Sequence, residues 1–302
     1  MPRPWIVRFA AATLTAASVL LTACGSGSVI SDLKPERFIA VGDGFSDVGQ
    51  TGQPFTVNDG SLTWLQQLAS YYGLTVEPAA AGGWAYAQGH ARVDAADPSG
   101  APSVKEQVDR LLADTTLDAK KDVVFINGGM SDIVAAVEAT GLSDASEDTV
   151  RAAAKALADQ VKRVVGAGAQ HVVVTGVHNL CRTPWGHAAG IEADYEDCMP
   201  AWAFNEQLLL EIVDMGATTL YFDAALFYNL ITNKPSSYPV DNVKDAVCTT
   251  PDASTCTPAT VIQERYDRYL FADGLHFTPA LQRLFVNDDY IENAYTRFKN
   301  RW

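Results

Sequence analysis

Short runs of apolar and β-branched residues, each bounded by turn residues, recur along the chain, with stretches of three-to-four-residue apolar spacing between them. The runs predict strands over 37–42, 74–77, 122–127, 171–176 and 218–222. The clearest helix is predicted over 149–165, where Val150, Ala154, Leu157, Val161 and Val164 share one face and Gly166 and Gly168 end the run. Further helices are predicted over 62–72, 104–112, 203–213 and 280–299, the last with Thr278 as cap and Pro279 in its first turn. Between 233 and 263 the pattern lapses into Pro, Ser, Asp and Thr, which reads as a loop insertion. Strands alternating with helices imply right-handed crossovers and a three-layer α/β/α sandwich of about five parallel strands. In such sheets ligands sit beyond the carboxyl ends of the strands, so chemistry is expected in 43–49, 79–91, 128–133, 178–184 and the later 273–278.

The N-terminus follows a different rule. Arg3 and Arg8 precede an apolar stretch over 10–21, too short to span a bilayer, and Leu21-Thr22-Ala23-Cys24 has the small-residue cleavage site of a bacterial lipoprotein. The expectation is a signal peptide over 1–23, a lipidated Cys24 with a small, polar tether over 24–34, and one domain over 35–302. Gly25 after the cysteine, rather than Asp, points to an outer-membrane lipoprotein in the cell envelope.

Charge narrows the partners. The chain has 22 Lys plus Arg against 36 Asp plus Glu, a net charge of −14, and removing Arg3 and Arg8 with the signal peptide takes it to −16. A field of that sign repels nucleic acid and anionic headgroups, which leaves the lipid anchor as the expected route to the membrane. Four cysteines remain after Cys24, and outside the cytoplasm an even number implies disulfides. Of the three pairings, Cys181 with Cys198 and Cys248 with Cys256 are the simplest, the second stapling the 233–263 insertion. There is no Cys-x-x-Cys pair, and His90, His171, His178, His187 and His276 show no metal-ligand spacing, so neither a metal nor a cofactor is expected.

Four strings in the post-strand segments carry more specific information. They are Gly42-Asp43-Gly44-Phe45-Ser46-Asp47-Val48-Gly49, Gly82-Gly83-Trp84-Ala85-Tyr86-Ala87-Gln88-Gly89-His90-Ala91, Gly128-Gly129-Met130-Ser131-Asp132-Ile133 and Asp273-Gly274-Leu275-His276-Phe277-Thr278. In order and spacing they resemble the GDSL or SGNH ester hydrolases, in particular the bacterial lipases and autotransporter esterases of that family, with lesser echoes at Phe204-Asn205 and Asp223. The resemblance runs from about Arg37 to the C-terminus and implies a flavodoxin-like α/β/α fold without cofactor. It also implies a small-molecule, glycan or lipid ester as ligand.

Carried over residue by residue, the resemblance assigns the acid and base of a catalytic triad to Asp273 and His276. Gly44 occupies the position of the serine nucleophile. The backbone N–H groups of Gly44 and His90 and the side chain of Ser131 fall at the oxyanion-hole positions, where the family has serine, glycine and asparagine. Loss of a triad nucleophile leaves roughly 10³ to 10⁴-fold catalysis over water, and one lost oxyanion donor costs about another 10² to 10³-fold. The expectation is a catalytically impaired pseudo-esterase that keeps the cleft to bind acyl or glycan esters. The alternative is an active carboxylic-ester hydrolase that uses Ser46, Ser131 or a water activated by His276.

The remaining polar residues have plainer readings. Asp43 and Asp132 match family aspartates that brace the loops, and Asp47 reads as a cap at a helix start. His178 and His187 read as solvated loop histidines, Trp64 and Trp84 as core or site-wall aromatics, and an imidazole at His90 as an obstacle in the path of substrate.

Overall fold

A computed structural model describes residues 31–302 except 195–196, 288 and 290–292. The predicted signal peptide and Cys24 lie outside the described residues, as does most of the tether.

β1 (Arg37–Val41), β2 (Asp122–Asn127), β3 (Val172–Thr175) and β4 (Thr219–Phe222) pair in that order, all parallel, as the central sheet. Being covered on both sides, these strands read as continuous apolar runs rather than alternating ones. The alternation reappears in what each residue packs against. Ile39, Val41, Val124, Ile126, Val172 and Val174 face one layer, made of α2 (Val104–Asp114), α3 (Met130–Thr140), α4 (Asp144–Gly166) and α6 (Met199–Ile212). Phe38, Ala40, Val123, Phe125, Val173 and Phe222 face the other, made of α1 (Trp64–Ser70), α7 (Ala224–Asn233), α8 (Pro279–Val286) and α9 (Ala294–Lys299). The short α5 (Pro184–Ala188) lies beside the first disulfide. The architecture is the expected three-layer α/β/α sandwich.

Several elements depart from the sequence pattern. Residues 74–77 are no strand, and the described sheet has four strands rather than five. The outer edge of β1 is instead taken by the second motif: the Ala40 N–H donates to Trp84 O at 3.1 Å, and the Tyr86 N–H donates to Ala40 O at 2.7 Å. Residues 77–79 pair with Ala85 one step further out, so the fifth position survives as single bridges. The run 280–299 is two helices, α8 and α9. Thr278 stands at the N-cap of α8 as expected, but its hydroxyl makes no capping bond and donates instead to Tyr269 O at 2.5 Å. The 233–263 insertion is not wholly loop, since β5 (Asn242–Ala246) pairs in parallel with β6 (Tyr269–Phe271). No helix starts at Asp47, and α3, α5 and α7 are elements that periodicity did not reveal.

Both expected disulfides are present, Cys181–Cys198 and Cys248–Cys256. The second closes a loop that stands on a small apolar cluster of Phe55, Val57, Val247, Ala253 and Ala272, adjoining the end of β6.

Candidate active site

The Asp273–His276 segment leaves β6 and folds back on itself. The Ala272 N–H donates to His276 O at 2.8 Å, and Asp273 Oδ1 accepts the N–H groups of Leu275 at 2.9 Å and His276 at 2.7 Å. An aspartate that bonds the backbone two and three residues on is a turn-former, and here the turn brings the imidazole back over its own carboxylate. His276 Nδ1 lies 3.0 and 2.9 Å from the two Asp273 oxygens, with both side chains buried. Burial opposes charge on His276, but the Asp273 carboxylate outweighs it and holds the imidazole above its ordinary pKa. Burial likewise pushes Asp273 up, yet the charge of His276 and the hydrogen bonds to it keep the carboxyl well below the usual range. Asp273 Oδ2 has a further donor, the Ala253 N–H at 2.8 Å, supplied by the Cys248–Cys256 loop.

The free nitrogen of that imidazole faces Gly44. A Cβ built on Gly44 falls against Nε2 and Cδ2 of His276, and Nε2 itself is buried without a partner among the described residues. Gly44 is not among the glycines of left-handed backbone, so its conformation does not require glycine. The Asp273–His276 pair thus stands in register with the position the resemblance gives to the nucleophile, and the imidazole occupies the room a side chain there would need.

The other motif residues are tied together by carboxylates. Asp43 accepts from Phe45 N–H at 3.1 Å and Asn127 Nδ2 at 2.5 Å, joining the first motif to β2. Asp47 caps a turn rather than a helix, accepting from Gly49 and Gln50 at 2.8 Å, and its other oxygen takes the Gly89 N–H of the second motif at 2.9 Å. Asp132 accepts the Val93 N–H at 2.9 Å, so the third motif holds the end of the second. Burial raises the pKa of all three, with hydrogen bonds opposing the shift. Asn205 and Asp223, the fainter echoes, bond Val177 and cap α7.

His90 does not obstruct the cleft. It has φ 65°, the only left-handed non-glycine residue among those described, so the backbone keeps the conformation natural to glycine. Its ring turns toward the disulfide loop, where Nε2 lies 2.7 Å from Asp252 Oδ2. Phe55 stands between the two imidazoles, its ring centroid 5.2 Å from that of His90 and 4.8 Å from that of His276. Ser46 is buried in the turn after Asp43, while Ser131 sits half-buried in the first turn of α3. Met130, rather than Ser131, lines the pocket beside Gly44 and His276.

His178 is the residue that sequence reasoning misplaced. Only 4 % exposed, it is no solvated loop residue but part of the cleft wall, packed on Phe277 with ring centroids 4.5 Å apart. Burial and the neighbouring charge of His276 push its pKa down to about 3, so it stays neutral, and its Nε2 too lacks a partner among the described residues. Its signal was position alone, since 178 follows β3 at the carboxyl edge where the site was expected. His187 is partly buried, with Nδ1 3.0 Å from Glu192. Trp64 is core and site wall at once, donating Nε1–H to Phe45 O at 2.7 Å, and Trp84 lies under the Arg37 guanidinium at 4.5 Å.

Comparisons with known proteins identify the family. The profile of the GDSL-like Lipase/Acylhydrolase family matches residues 38–288. No curated protein is a match. Among solved structures, an extracellular lipase from Streptomyces rimosus is 15 % identical with a TM-score of 0.44, over 88 % of this chain and 99 % of that one. An acetyl xylan esterase variant from Geobacillus stearothermophilus is 12 % identical with a TM-score of 0.38, over 70 % of this chain and 86 % of that one. An aryl esterase from M. smegmatis is 16 % identical with a TM-score of 0.39, over 61 % of this chain and 83 % of that one. With the motifs gathered at one edge of the sheet and the profile spanning nearly the whole domain, the chain belongs to the GDSL-like lipase/acylhydrolase family.

Proposed function

We propose that this protein is an envelope lipoprotein that keeps the GDSL cleft as a binding site for acyl or glycan esters but is impaired in hydrolysing them. One observation carries the reading: the base nitrogen of a fully assembled Asp273–His276 pair faces Gly44, which has no side chain to activate. Covalent acyl transfer needs a nucleophile within hydrogen-bond reach of the base, roughly 2.6–3.2 Å. The lipobox at Leu21–Cys24 supports the envelope assignment. Steady-state hydrolysis of short and long p-nitrophenyl esters, with labelling by a fluorophosphonate, tests the central claim. Rates within about tenfold of ordinary family enzymes, or a labelled Ser46 or Ser131, overturn it.

A second reading has its own support in the same pair. His276 retains its carboxylate partner and an unengaged Nε2, the arrangement of a general base for water. Hydrolysis without fluorophosphonate labelling, abolished by His276→Ala, selects it over the first.

A further inference from the structure

The amino edge of the sheet, opposite the cleft, carries a strip of aromatic and basic side chains where the described chain begins. The Ser31 N–H donates to Lys299 O at 2.7 Å, which fixes the start of the domain against α9. Trp302 lies edge-on to His171, just before β3, and the Arg301 guanidinium bonds the carbonyls of Gly216 and of Thr219, where β4 begins. Tyr71, 51 % exposed, stacks on Tyr295 with ring centroids 4.0 Å apart, and Lys299 Nζ stands 4.6 Å from the centre of the Tyr295 ring. From 293 to 302 the chain has three cations, Arg297, Lys299 and Arg301, and no acid, within a protein of net charge −14. Of the acids that follow Ser31 in sequence, Glu36 is taken by Lys121 at 2.9 Å, and Asp32 stands two residues from Lys34.

Resting on the reading that Cys24 is a lipidated N-terminus, we propose that this strip is the face on which the domain meets the anionic surface of its own bilayer, and that the cleft opens away from it into water. Seven peptide steps separate Cys24 from Ser31, a reach of at most about 25 Å. A tether that short keeps the face at Ser31 close to the headgroups. Tyr and Trp rings suit that interface, where one end is apolar and the other wet, and Lys and Arg are drawn to the negative surface of anionic lipid. The acidity of the rest of the chain repels such a surface, so the strip sets the orientation as well as the contact. Gly44 follows the carboxyl end of β1, and the six residues of β2 set the two edges of the sheet about 20 Å apart. A ligand then reaches His276 from the aqueous side rather than out of the membrane, which favours glycan or short-chain esters over the lipids of the bilayer.

Two tryptophans at opposite edges make the test internal to the molecule. Trp302 belongs to the strip, whereas Trp185 lies on the cleft side, its N–H donating to Gly274 O at 2.9 Å. The full chain, labelled with fluorotryptophan and extracted with its anchor, is placed in nanodiscs of phosphatidylethanolamine and phosphatidylglycerol that carry a gadolinium-chelating lipid. The fluorine signal of Trp302 should lose most of its intensity to the gadolinium and that of Trp185 should keep most of its own, the two being assigned by Trp302→Phe and Trp185→Phe. Lys34→Gln with Lys299→Gln should weaken the Trp302 loss, since a Lys near an anionic surface is worth about fivefold in affinity. The proposal is overturned if Trp185 loses as much as Trp302, if neither signal changes, or if the double variant behaves as the unaltered chain. The mass of the extracted protein separates this from the reading beneath it: an unmodified Cys24 defeats the lipoprotein assignment and removes the bilayer as partner, whereas a lipidated Cys24 with the losses reversed defeats the orientation alone.

Discussion

The two halves of the cleft have been built to different standards. On the side of Asp273 and His276 every polar atom but one is engaged: the carboxylate takes two backbone N–H groups of its own turn, one from the disulfide loop, and the imidazole. On the side of Gly44, His90 and Ser131 the framework is equally braced by Asp43, Asp47 and Asp132, but the residues at these three positions differ from those the family resemblance implies. On the proposed reading, the machinery that handles a proton is intact, while the machinery that handles an acyl carbon is altered. A carboxylate and an imidazole so deeply buried stay stable only as a pair, since removing one partner leaves the other charge uncompensated. Their retention is therefore as much a matter of folding as of chemistry.

The largest test of this contrast rebuilds the altered half. Gly44→Ser, combined with Ser131→Asn and His90→Gly, should raise ester hydrolysis by about 10²-fold or more, because an oxyanion donor alone is worth about 10² to 10³-fold. The structure adds a condition that the sequence did not reveal: a Cβ at Gly44 presses on His276, so the ring must withdraw before a serine hydroxyl can lie beside it. Gly44→Ala isolates that steric cost and should lower stability without restoring activity. His276→Ala in the rebuilt protein should remove the gain. If all three changes fold and stay inert toward several esters, the altered half is not what limits catalysis.

The segments that gather in the candidate site were easier to read from the sequence than the full strand set of the sheet. The central strands were legible because β2 and β3 are buried on both faces and must be apolar throughout, and the first and third motif strings were legible as the segments that follow β1 and β2. The 74–77 run failed because the hydrogen-bonding edge of β1 is filled by Trp84–Tyr86, a tertiary competition that β-propensity cannot see. β5 was invisible for the opposite reason, Asn-Val-Lys-Asp-Ala being an exposed edge segment with no buried face to pattern it. The direction of the His90 ring depends on Asp252, over 160 residues away in sequence, and the burial of His178 on Phe277 and Tyr228. No local pattern carries either fact.

The two cleft histidines should also part company with pH. Unfolded, each titrates near 6.5. His276 is raised by Asp273, so the folded state holds its proton more firmly; this stabilisation is complete below about 6.5 and is lost as pH rises through the folded value. His178 is pushed down to about 3, so between there and 6.5 the unfolded chain takes a proton that the folded chain refuses. Stability from this group is present above about 6.5 and is lost on acidification, by about 1.4 kcal/mol for each pH unit. Urea unfolding at pH 7 and pH 5 should then show His178→Phe sparing about 2 kcal/mol of the loss seen in the unaltered protein. An identical loss in both would place His178 in contact with water and outside the cleft wall.

The smallest effect lies at His90, where backbone and side chain pull in opposite directions. A left-handed backbone costs a side-chain-bearing residue about 1–2 kcal/mol, which glycine escapes, but glycine also loosens the unfolded chain by about 0.4–1 kcal/mol. The pair with Asp252 is partly exposed and worth about 0.2–1 kcal/mol. His90→Gly therefore gives up the pair and the unfolded-state advantage while shedding the strain, and should leave stability within about 1 kcal/mol of the unaltered protein. His90→Ala gives up the pair and keeps the strain, so it should be the less stable of the two variants. Thermal melts of both settle the order. If alanine proves as stable as glycine, the backbone at 90 is not left-handed in solution, and the second motif has lost the glycine-like geometry on which an oxyanion N–H at this position depends.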